Sequence, residues 1–358
     1  MRAIVVGAGA GIFSAHREGL AAIGAQVVGV HDADHDRACR VADQLGCAAH
    51  RDVATLLDAD AELAVILAPH PFHAELAVAC LRAGHHVLVE KPIADEVAAA
   101  DLMVTEAERG GRLLAVALQH RARGEVREAR RLIRSGALGE LQHVSLLATW
   151  PRPAAYFALA PWRGTWRGEG GGILINQGQH DLDLLCHLVG GPPRRVAGRT
   201  RTRLHAIETE DTADALAEWP NGAAGSIHIS TAEADEPQRI EVTGTGGRLR
   251  LLPGRLEVDR NAVDFREYAA TATNAFAPPA VERLPALEGA EGGHVAIYRN
   301  LVEAMAGREP LIAPGHEARW PLELANAIVL SSASGAEVRL PLDRAAYSDL
   351  LASRRRAG

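Results

Sequence analysis

A glutamate and a lysine stand side by side, Glu90 and Lys91, between an apolar run at residues 87–89 and Pro92. The run Val-Leu-Val predicts a strand buried on both faces, as in a parallel sheet. Pro92 cannot donate to a strand ladder, so Lys91 lies at the carboxyl end of the strand, where open α/β sheets bind ligands. A partly desolvated lysine has a lowered pKa, which suits it to proton transfer or to polarising a hydroxyl. The alternative is a surface Lys–Glu pair, which is common and energetically weak.

A histidine, His180, follows the glycine run at residues 170–172 and stands in the first turn of a helix predicted at residues 177–188. The helix dipole disfavours an imidazolium there, and a neutral imidazole near pH 7 can act as a general base. His180, Asp183 and His187 share one side of that helix. They could instead bind a metal, but a zinc site needs a closed ligand set and no partner motif is visible, so no metal is expected. His187 is expected to pack inside the protein.

A glycine-rich turn, with Gly7, Gly9 and Gly11, joins an apolar strand to a helix. Such a turn lets the backbone approach a pyrophosphate at the helix N-terminus. Asp32 follows Gly11 by 21 positions, at the end of the second strand. A carboxylate there holds the ribose hydroxyls of NAD, and no arginine follows directly to receive the 2′-phosphate of NADP. The turn therefore predicts a dinucleotide site that prefers NAD.

The glycine motif can be aligned in two ways. If Gly7 and Gly9 lead, the third position is Ile12, and if Gly9 and Gly11 lead, it is Ser14. The sequence leaves this choice open. A glycine turn without a ligand is the alternative to both, and the strand, the helix and the acid together disfavour it.

The segment around residues 150–169 holds Trp150, Trp162 and Trp166 together with three arginines. Aromatic faces and guanidinium donors suit a polyhydroxylated or carboxylated ligand. A loop pinned to the core by its aromatic side chains is the alternative.

The elements that position these groups fall into two predicted domains. Strands at residues 3–6, 27–30, 63–67, 87–89 and 113–118 alternate with helices, which predicts an α/β, doubly wound parallel sheet. The composition changes near residue 120, so we divide the chain into a dinucleotide-binding domain (1–120) and a second domain (121–358). In the latter, short alternating runs predict an α+β domain with a large, mostly antiparallel open sheet. The strands are expected at residues 141–148, 195–202, 212–218, 225–230, 239–243, 248–252 and 256–259. A long loop is expected at residues 269–287 and helices at 292–306 and 317–332.

Composition excludes several classes of protein. The chain has 358 residues, a formal charge of −7 and a single basic block at residues 354–356, so nucleic acid is not an expected partner. The four cysteines show no CxxC or framework spacing, and the apolar run at residues 3–6 is too short for a signal peptide. No stretch is apolar for long enough to span a membrane. We therefore expect a reduced, cytoplasmic protein.

Three segments together resemble the Gfo/Idh/MocA family of sugar and polyol dehydrogenases. Residues 90–92 match its Glu-Lys-Pro signature, residues 68–73 resemble its Pro-x-x-x-His turn, and residues 170–183 match its glycine run followed by Asp/Asn-x-Gly-x-His-x-x-Asp. The three matches occur in the right order and the resemblance covers nearly the whole chain. The family often has Asp where this chain has Asn176, which weakens any proton relay through an acid at that position.

The resemblance implies a role for each matching residue. Lys91 and His180 are expected to be catalytic, with His180 beside the substrate hydroxyl and Lys91 on the same oxygen. The residues expected to bind the cofactor are Gly7, Gly9, Gly11, Ile12, Asp32, Ala68, Pro69, His73, Glu90, Lys91 and Gln119. Those expected to bind the substrate are Lys91, Trp162, Arg163, Arg167, Asn176 and His180, with Tyr156 a further candidate.

The expected activity is an NAD-dependent dehydrogenase that transfers a hydride between nicotinamide and a carbon of a sugar, sugar derivative or polyol. Two alternatives remain from the same family: an NAD-dependent glycoside hydrolase, and a non-catalytic sugar sensor. The presence of both Lys91 and His180 disfavours the sensor. The family also implies a homo-oligomer that assembles through the second sheet.

Overall fold

Six short strands, four of them buried along most or all of their length, form a parallel sheet in the first third of the chain. The computed structural model describes residues 1–289 and 292–357, so three residues of the predicted second domain lie outside it. The strand order is β3-β2-β1-β4-β5-β6, and every neighbouring pair is parallel. The elements are β1 (Arg2–Val6), α1 (Phe13–Ala22), β2 (Gln26–His31), α2 (His35–Leu45), β3 (Ala48–His50), α3 (Val53–Leu57), β4 (Leu63–Ile66), α4 (His73–Arg82), β5 (His86–Val89), α5 (Val97–Gly110) and β6 (Leu114–Val116).

The parallel, doubly wound sheet predicted from the sequence is confirmed, with one strand that the sequence did not reveal. β3 has only three residues, Ala-Ala-His, and pairs with β2 alone at the edge of the sheet. It carries no β-branched or aromatic run of the kind that predicts a strand. Two 3₁₀ turns, His70–Phe72 and Gln119–Ala122, follow β4 and β6 at the carboxyl edge of the sheet.

A second sheet of ten strands occupies most of the remaining chain. Its order is β14-β13-β12-β11-β7-β10-β9-β8-β16, with β15 paired to β13. All neighbours are antiparallel except β7 and β10, so the prediction of a mostly antiparallel sheet is confirmed. The strands are β7 (Leu141–Thr149), β8 (Arg195–Arg201), β9 (Thr212–Glu218), β10 (Ala224–Ser230), β11 (Arg239–Gly244), β12 (Gly247–Leu252), β13 (Arg255–Asn261), β14 (Val281–Arg283), β15 (Leu287–Glu288) and β16 (Val338–Arg339).

Among the residues that the structure describes, eight helices accompany this sheet. They are α6 (Gly124–Arg134), α7 (Ala154–Phe157), α8 (Trp166–Glu169), α9 (Gln179–Val189), α10 (Phe265–Thr271), α11 (His294–Met305), α12 (Gly315–Ser334) and α13 (Arg344–Ala357). The loop predicted at residues 269–287 is wrong in part, because it contains the end of α10 and the strand β14. Both are short and exposed, so no hydrophobic periodicity marked them.

The two faces of the second sheet differ in character. One face is apolar and packs against helices, as Ile240 and Val242 of β11 show by being fully buried. The other face carries cross-strand ion pairs, such as Arg250 with Glu241 at 3.1 Å and with Glu257 at 3.0 Å. Leu216 stands on that outer face and is 67% exposed.

The chain returns to the first sheet after completing most of the second. Helix α11 packs on α1, where the Tyr298 ring occupies the space that a side chain at Gly19 would need. The Val116 N–H donates to Ala313 O at 3.0 Å, so the segment before α12 runs beside β6. These contacts join the two sheets at the carboxyl edge of the first. The domain boundary at residue 120 remains a prediction.

None of the described helices is long enough and apolar enough to cross a lipid bilayer.

Candidate active site

Lys91 leaves the end of β5 and reaches toward the glycine turn that precedes α9. Its Nζ donates to Asn176 O at 3.0 Å and lies 3.5 Å from Asn176 Oδ1. Burial lowers the pKa of Lys91, while the carboxylates of Glu90 and Glu169 act in the opposite direction. The structure therefore places the Lys91 amine in a desolvated site, linked by hydrogen bonds to the segment that leads into the helix of His180.

Glu90 has its carboxylate fully engaged. Oε1 lies 2.8 Å from His16 Nε2 and 3.2 Å from His294 Nε2, and Oε2 accepts the Lys91 backbone N–H at 3.0 Å. Burial alone would raise the pKa of Glu90, but the hydrogen bonds from His16 and His294 outweigh burial and hold that pKa well below its usual range. The ligand atoms of His16, Glu90 and His294 are close enough together to hold a metal ion. Hydrogen bonds within the cluster, with Tyr298 Oη 2.8 Å from His16 Nδ1, already satisfy it.

His180 stacks on a second histidine that the sequence did not single out. Its ring centroid lies 4.2 Å from that of His120, with the planes inclined by 23°. Burial lowers the pKa of His180 well below its ordinary value, and the neighbouring His120 and Lys91 lower it further. Burial also lowers the pKa of His120 to about 3. The direction predicted for His180 holds, but desolvation is the first cause and not the helix dipole.

Both stacked histidines keep a buried ring nitrogen, Nδ1, that has no hydrogen-bond partner within residues 1–289 and 292–357. Such orphaned atoms are uncommon in a protein interior and need a partner. A hydroxyl group of a substrate would supply one. His120 could have been suspected from the sequence, because it follows the strand β6 at the same sheet edge as Lys91.

Glu169 is a buried carboxylate that sequence reasoning also missed. It is 2% exposed. Its Oε2 accepts the Gly164 N–H at 2.7 Å, and its Oε1 accepts from Asn176 Nδ2. Burial raises the pKa of Glu169, although these bonds and the charges of Arg163 and Lys91 oppose the rise. The only available signal was its place directly before the glycine run.

The aromatic segment places Arg163 between two rings. The guanidinium carbon lies 4.3 Å from the Tyr156 ring centroid and 4.6 Å from that of Trp162. The Tyr156 hydroxyl oxygen accepts from Arg163, from Asn176 Nδ2 at 3.1 Å and from Gln177 Nε2 at 2.8 Å. Arg163 Nε is buried and unpaired among the described residues. Trp162, Arg163 and Tyr156 thus form one cluster with Asn176.

Arg167 does not join this cluster. It is exposed, and its guanidinium donates to Arg355 O at 3.3 Å on α13. The substrate contact expected for Arg167 stays a prediction; the residue lies on the surface of the short helix α8. In the same region Asp183 binds the fully buried Arg121, with Nη2 2.6 Å from Oδ1. His187 lies against Arg130 and Glu317, as the expected packing residue.

Asp181, next to His180, is the second buried acid near Lys91 that the sequence did not reveal. Burial raises its pKa to about 7. Oδ2 accepts from Trp150 Nε1 at 2.7 Å, and Oδ1 accepts from Gln238 Nε2. These bonds tie α9 to the second sheet and fix the orientation of the helix that carries His180.

The glycine turn has the geometry of a dinucleotide cradle. A Cβ on Gly7 would lie 2.7 Å from Ala68 N, and one on Gly9 would lie 2.9 Å from Asp32 Oδ2. The Asp32 carboxylate accepts the Gly9 N–H at 2.8 Å. A Cβ on Gly11 would meet nothing within 4 Å, so Gly11 opens free space next to Ile12, which is exposed. The bare backbone and the acid fit a pyrophosphate and a ribose diol.

The remaining residues expected at the cofactor surround this turn. Ala68 and the exposed Pro69 follow β4 beside Gly7. His73 is fully buried, with Nε2 2.7 Å from Ala68 O and Nδ1 2.8 Å from Pro92 O, so it braces these backbones and is corrected from a direct cofactor contact. Gln119 follows β6 with a buried Oε1 that has no partner in the described part.

Two family models match the chain. Residues 1–118 match the oxidoreductase family with an NAD-binding Rossmann fold, and residues 126–250 match the GFO/IDH/MocA C-terminal domain. The chain is 32% identical over 237 residues to inositol 2-dehydrogenase 2 of Saccharopolyspora erythraea, covering 64% of this chain and 66% of that protein. It is 33% identical over 233 residues to the dTDP-3,4-didehydro-2,6-dideoxy-alpha-D-glucose 3-reductase of Streptomyces antibioticus, covering 63% and 67%. The aligned parts span between 56% and 67% of the first curated relatives.

A solved structure resembles the chain over nearly its whole length. The WlbA dehydrogenase of Chromobacterium violaceum, in complex with NADH and UDP-GlcNAcA, is 27% identical with a TM-score of 0.82. The superposition covers 96% of both chains. The similarity therefore extends across both sheets and the region between them.

Proposed function

The chain belongs to the GFO/IDH/MocA family of NAD-binding oxidoreductases, and from this premise we propose that it oxidises or reduces one carbon of a sugar, sugar derivative or polyol. One observation supports this most strongly. Lys91, at the end of β5, donates to Asn176 in the segment that leads into α9, and His180 on α9 lies close enough for the Lys91 charge to lower its pKa. Sugar dehydrogenation needs such a pair, because the hydroxyl must lose a proton as the carbon loses a hydride.

NAD supplies a hydride acceptor when it is bound. Lys91 is proposed to bind the reacting oxygen, since its ammonium stabilises the negative charge that develops there. His180 is proposed to take the hydroxyl proton at its unpaired Nδ1, because burial keeps the imidazole neutral. In the reverse direction His180 would return that proton.

The substrate is proposed to lie against the cluster of Tyr156, Trp162 and Arg163. The ring of a sugar or polyol packs favourably against aromatic side chains. The Nε–H of Arg163, which has no partner in the described residues, is a donor for a hydroxyl or a carboxylate oxygen. Asn176 holds the Tyr156 hydroxyl in this cluster, with its Nδ2 donating to Tyr156 Oη at 3.1 Å. The relatives act on inositol and on nucleotide-linked sugars, as their names say, and a substrate of this class fits the cluster.

The direct test is a survey of NADH formation with inositols, neutral hexoses, uronic acids and nucleotide-linked sugars. We expect NADH to accumulate with at least one class, and both Lys91→Met and His180→Ala to remove most of that signal. Full activity in either variant would contradict the proposed roles. Release of an aglycone without NADH accumulation would assign the chain to hydrolysis.

We also propose that the protein is a cytoplasmic homo-oligomer. All four cysteines are free, which suits a reducing compartment. The outer face of the second sheet is large and carries the exposed Leu216 among ion pairs, as an interface between copies would.

A further inference from the structure

Glu169 is tied to the substrate side of the site by both of its carboxylate oxygens. One oxygen accepts a backbone N–H from Gly164, at 2.7 Å, and the other accepts from the side-chain amide of Asn176. With 2% of its surface exposed, Glu169 has lost nearly all contact with water. A buried carboxylate is costly unless a positive charge or a set of donors compensates it.

The compensating charges are those of Arg163 and Lys91, and Lys91 is the one reached through Asn176. The asparagine amide gives its N–H to Glu169 and presents its oxygen to Lys91, whose Nζ lies 3.5 Å from Oδ1 and 3.0 Å from the backbone oxygen. Carboxylate, amide and ammonium therefore form a continuous chain. Glu169 dictates the orientation of the Asn176 amide. An ionised carboxylate accepts hydrogen bonds and donates none, so the NH₂ group of the amide must face Glu169.

The other acids near Lys91 are committed elsewhere. Glu90 accepts from His16, His294 and the Lys91 backbone. Asp181 accepts from Trp150 and Gln238. Within the described residues, the charged and titratable groups that act on Lys91 or respond to it are Glu90, Glu169, Asp181, Arg163, His70, His120 and His180. Among these, Glu169 is the acid whose hydrogen bonds lead to Nζ.

We propose that Glu169 is a positioning residue for Lys91, which orients the Asn176 amide and keeps the lysine side chain in its ammonium form at the working pH. This rests on the proposed function, in which the Lys91 ammonium binds the reacting oxygen. The acid of this site is then held one hydrogen bond behind Asn176 instead of at position 176 itself.

The first test is Glu169→Gln. An amide has one acceptor, so it cannot accept from both Gly164 N–H and Asn176 Nδ2 without a clash between donors. Loss of the negative charge lowers the pKa of Lys91, so the fall of kcat at alkaline pH should begin at lower pH than in the wild type. We expect kcat near neutral pH to fall about tenfold, with NAD affinity unchanged.

The second test adds Asn176→Asp. In the wild-type background this change sets two carboxylates at hydrogen-bond distance, which raises the pKa of one and lowers activity. In the Glu169→Gln background it restores a single acid, now adjacent to Lys91, and should return the alkaline limb toward the wild-type position. A substitution that harms one background and rescues the other is not expected of a purely structural residue.

Glu210→Gln is the matched control, because Glu210 is a second buried carboxylate that holds the Gly172 and Leu174 backbone without a bond to Asn176. It should leave the alkaline limb in place. An unchanged alkaline limb in Glu169→Gln, or additive effects of the two substitutions, would overturn the inference. If Lys91→Met retains wild-type activity in the same assay, the proposed role of Lys91 fails instead, and the two failures are thereby distinguished.

Discussion

His180 and Lys91 have their pKa values lowered by the same cause, burial, but it serves them differently. A lowered pKa keeps His180 neutral and able to accept a proton. For Lys91 the same desolvation threatens the charge that its role requires, and the acids around it oppose the loss. The proposed chemistry thus depends on Lys91 remaining charged and on His180 remaining neutral.

His180→Ala should reduce the oxidation rate by about 10²–10⁴-fold and change its pH profile. The rate with His180 present rises as pH increases through the pKa of the imidazole, which lies well below 6.5, and is level above it. The variant should lose that acidic limb, as measured by kcat against pH. His187→Ala is the control on the same helix and should keep it. A variant that retains the wild-type profile at a reduced rate would assign the base to another group.

Asp32 should set the preference for NAD. Asp32→Ala removes a hydrogen bond to the ribose diol and should weaken NADH binding by roughly one to two decades in Kd. Arg37 lies beside Gly9, so NADPH binding should weaken less or improve once the carboxylate is gone. Fluorescence titration of both cofactors measures this, with Asp36→Ala as the control on the neighbouring helix. Equal binding of NADH and NADPH by the wild type would contradict the expectation.

At the residue scale, the sequence predicts the residues that stand in spaced motifs and misses Glu169 and His120. Lys91, His180, Asp32 and Asn176 stand in patterns with fixed spacing, so each could be assigned to the site from the sequence alone, and the structure shows Lys91 in contact with Asn176. Glu169 and His120 have no such pattern. Their roles depend on burial and on a neighbour distant in the sequence, which spacing does not encode.

At the scale of elements, the glycine segment at residues 170–172, before α9, is held by the buried carboxylate of Glu210. Glu210 has Oε1 bonded to the Gly172 and Leu174 N–H groups at 2.9 and 3.2 Å, and Oε2 is buried without a partner in the described chain. Burial raises its pKa from 4.5 to about 7.

This raised pKa makes stability depend on pH. The folded state binds the Glu210 proton more tightly than the unfolded state, so its contribution is full below about pH 4.5 and is lost as pH rises through about 7. The loss amounts to roughly 3 kcal/mol. Glu210→Gln should therefore gain Tm relative to the wild type between pH 5 and pH 8, as measured by thermal unfolding. A constant difference in Tm across that range would show that Glu210 does not titrate.

Helix α13 is bonded to the segment at residues 162–167, which carries the proposed substrate residues Trp162 and Arg163. Arg355 on α13 donates to Asp95, lies 3.4 Å from Trp166 O, and accepts at its backbone oxygen from Arg167. Arg355→Ala should loosen the segment that carries Trp162 and Arg163, and raise KM for the substrate about fivefold. NAD affinity should not change. Arg356→Ala, an exposed neighbour, is the control; an equal KM effect in both would exclude this fastening.

Element boundaries were predictable wherever hydrophobic periodicity was strong. The strands β7 to β13 agree with the sequence to within two residues at almost every end. The edge strand β3 and the short strands β14 and β15 were not, because a strand of two or three residues at a sheet edge has no period to detect. Pairing with a neighbour creates these elements, and no local preference does.

At the scale of the whole molecule, the outer face of the second sheet invites a test of assembly. Leu216 stands on that face, on β9, the third strand from the β16 edge of the sheet. Leu216→Arg should convert the oligomer to smaller species in sedimentation velocity, because a buried unpaired cation disrupts an interface. Leu204→Arg, also highly exposed at 70% but off the sheet, should have no effect. A monomeric wild type at micromolar concentration would contradict the proposal.

The setting of Lys91 has a consequence for labelling chemistry. Lys91 is the only lysine in the chain. Arginine side chains are not attacked by acylating reagents, because the guanidinium group stays protonated. Because burial lowers the pKa of this amine, a larger share of it is the nucleophilic free base than in an ordinary lysine. An amine-directed reagent small enough to enter the site would therefore mark one side chain per subunit. The mass gained per chain, beyond the label on the α-amino group, would count open sites without a substrate and before the natural one is identified.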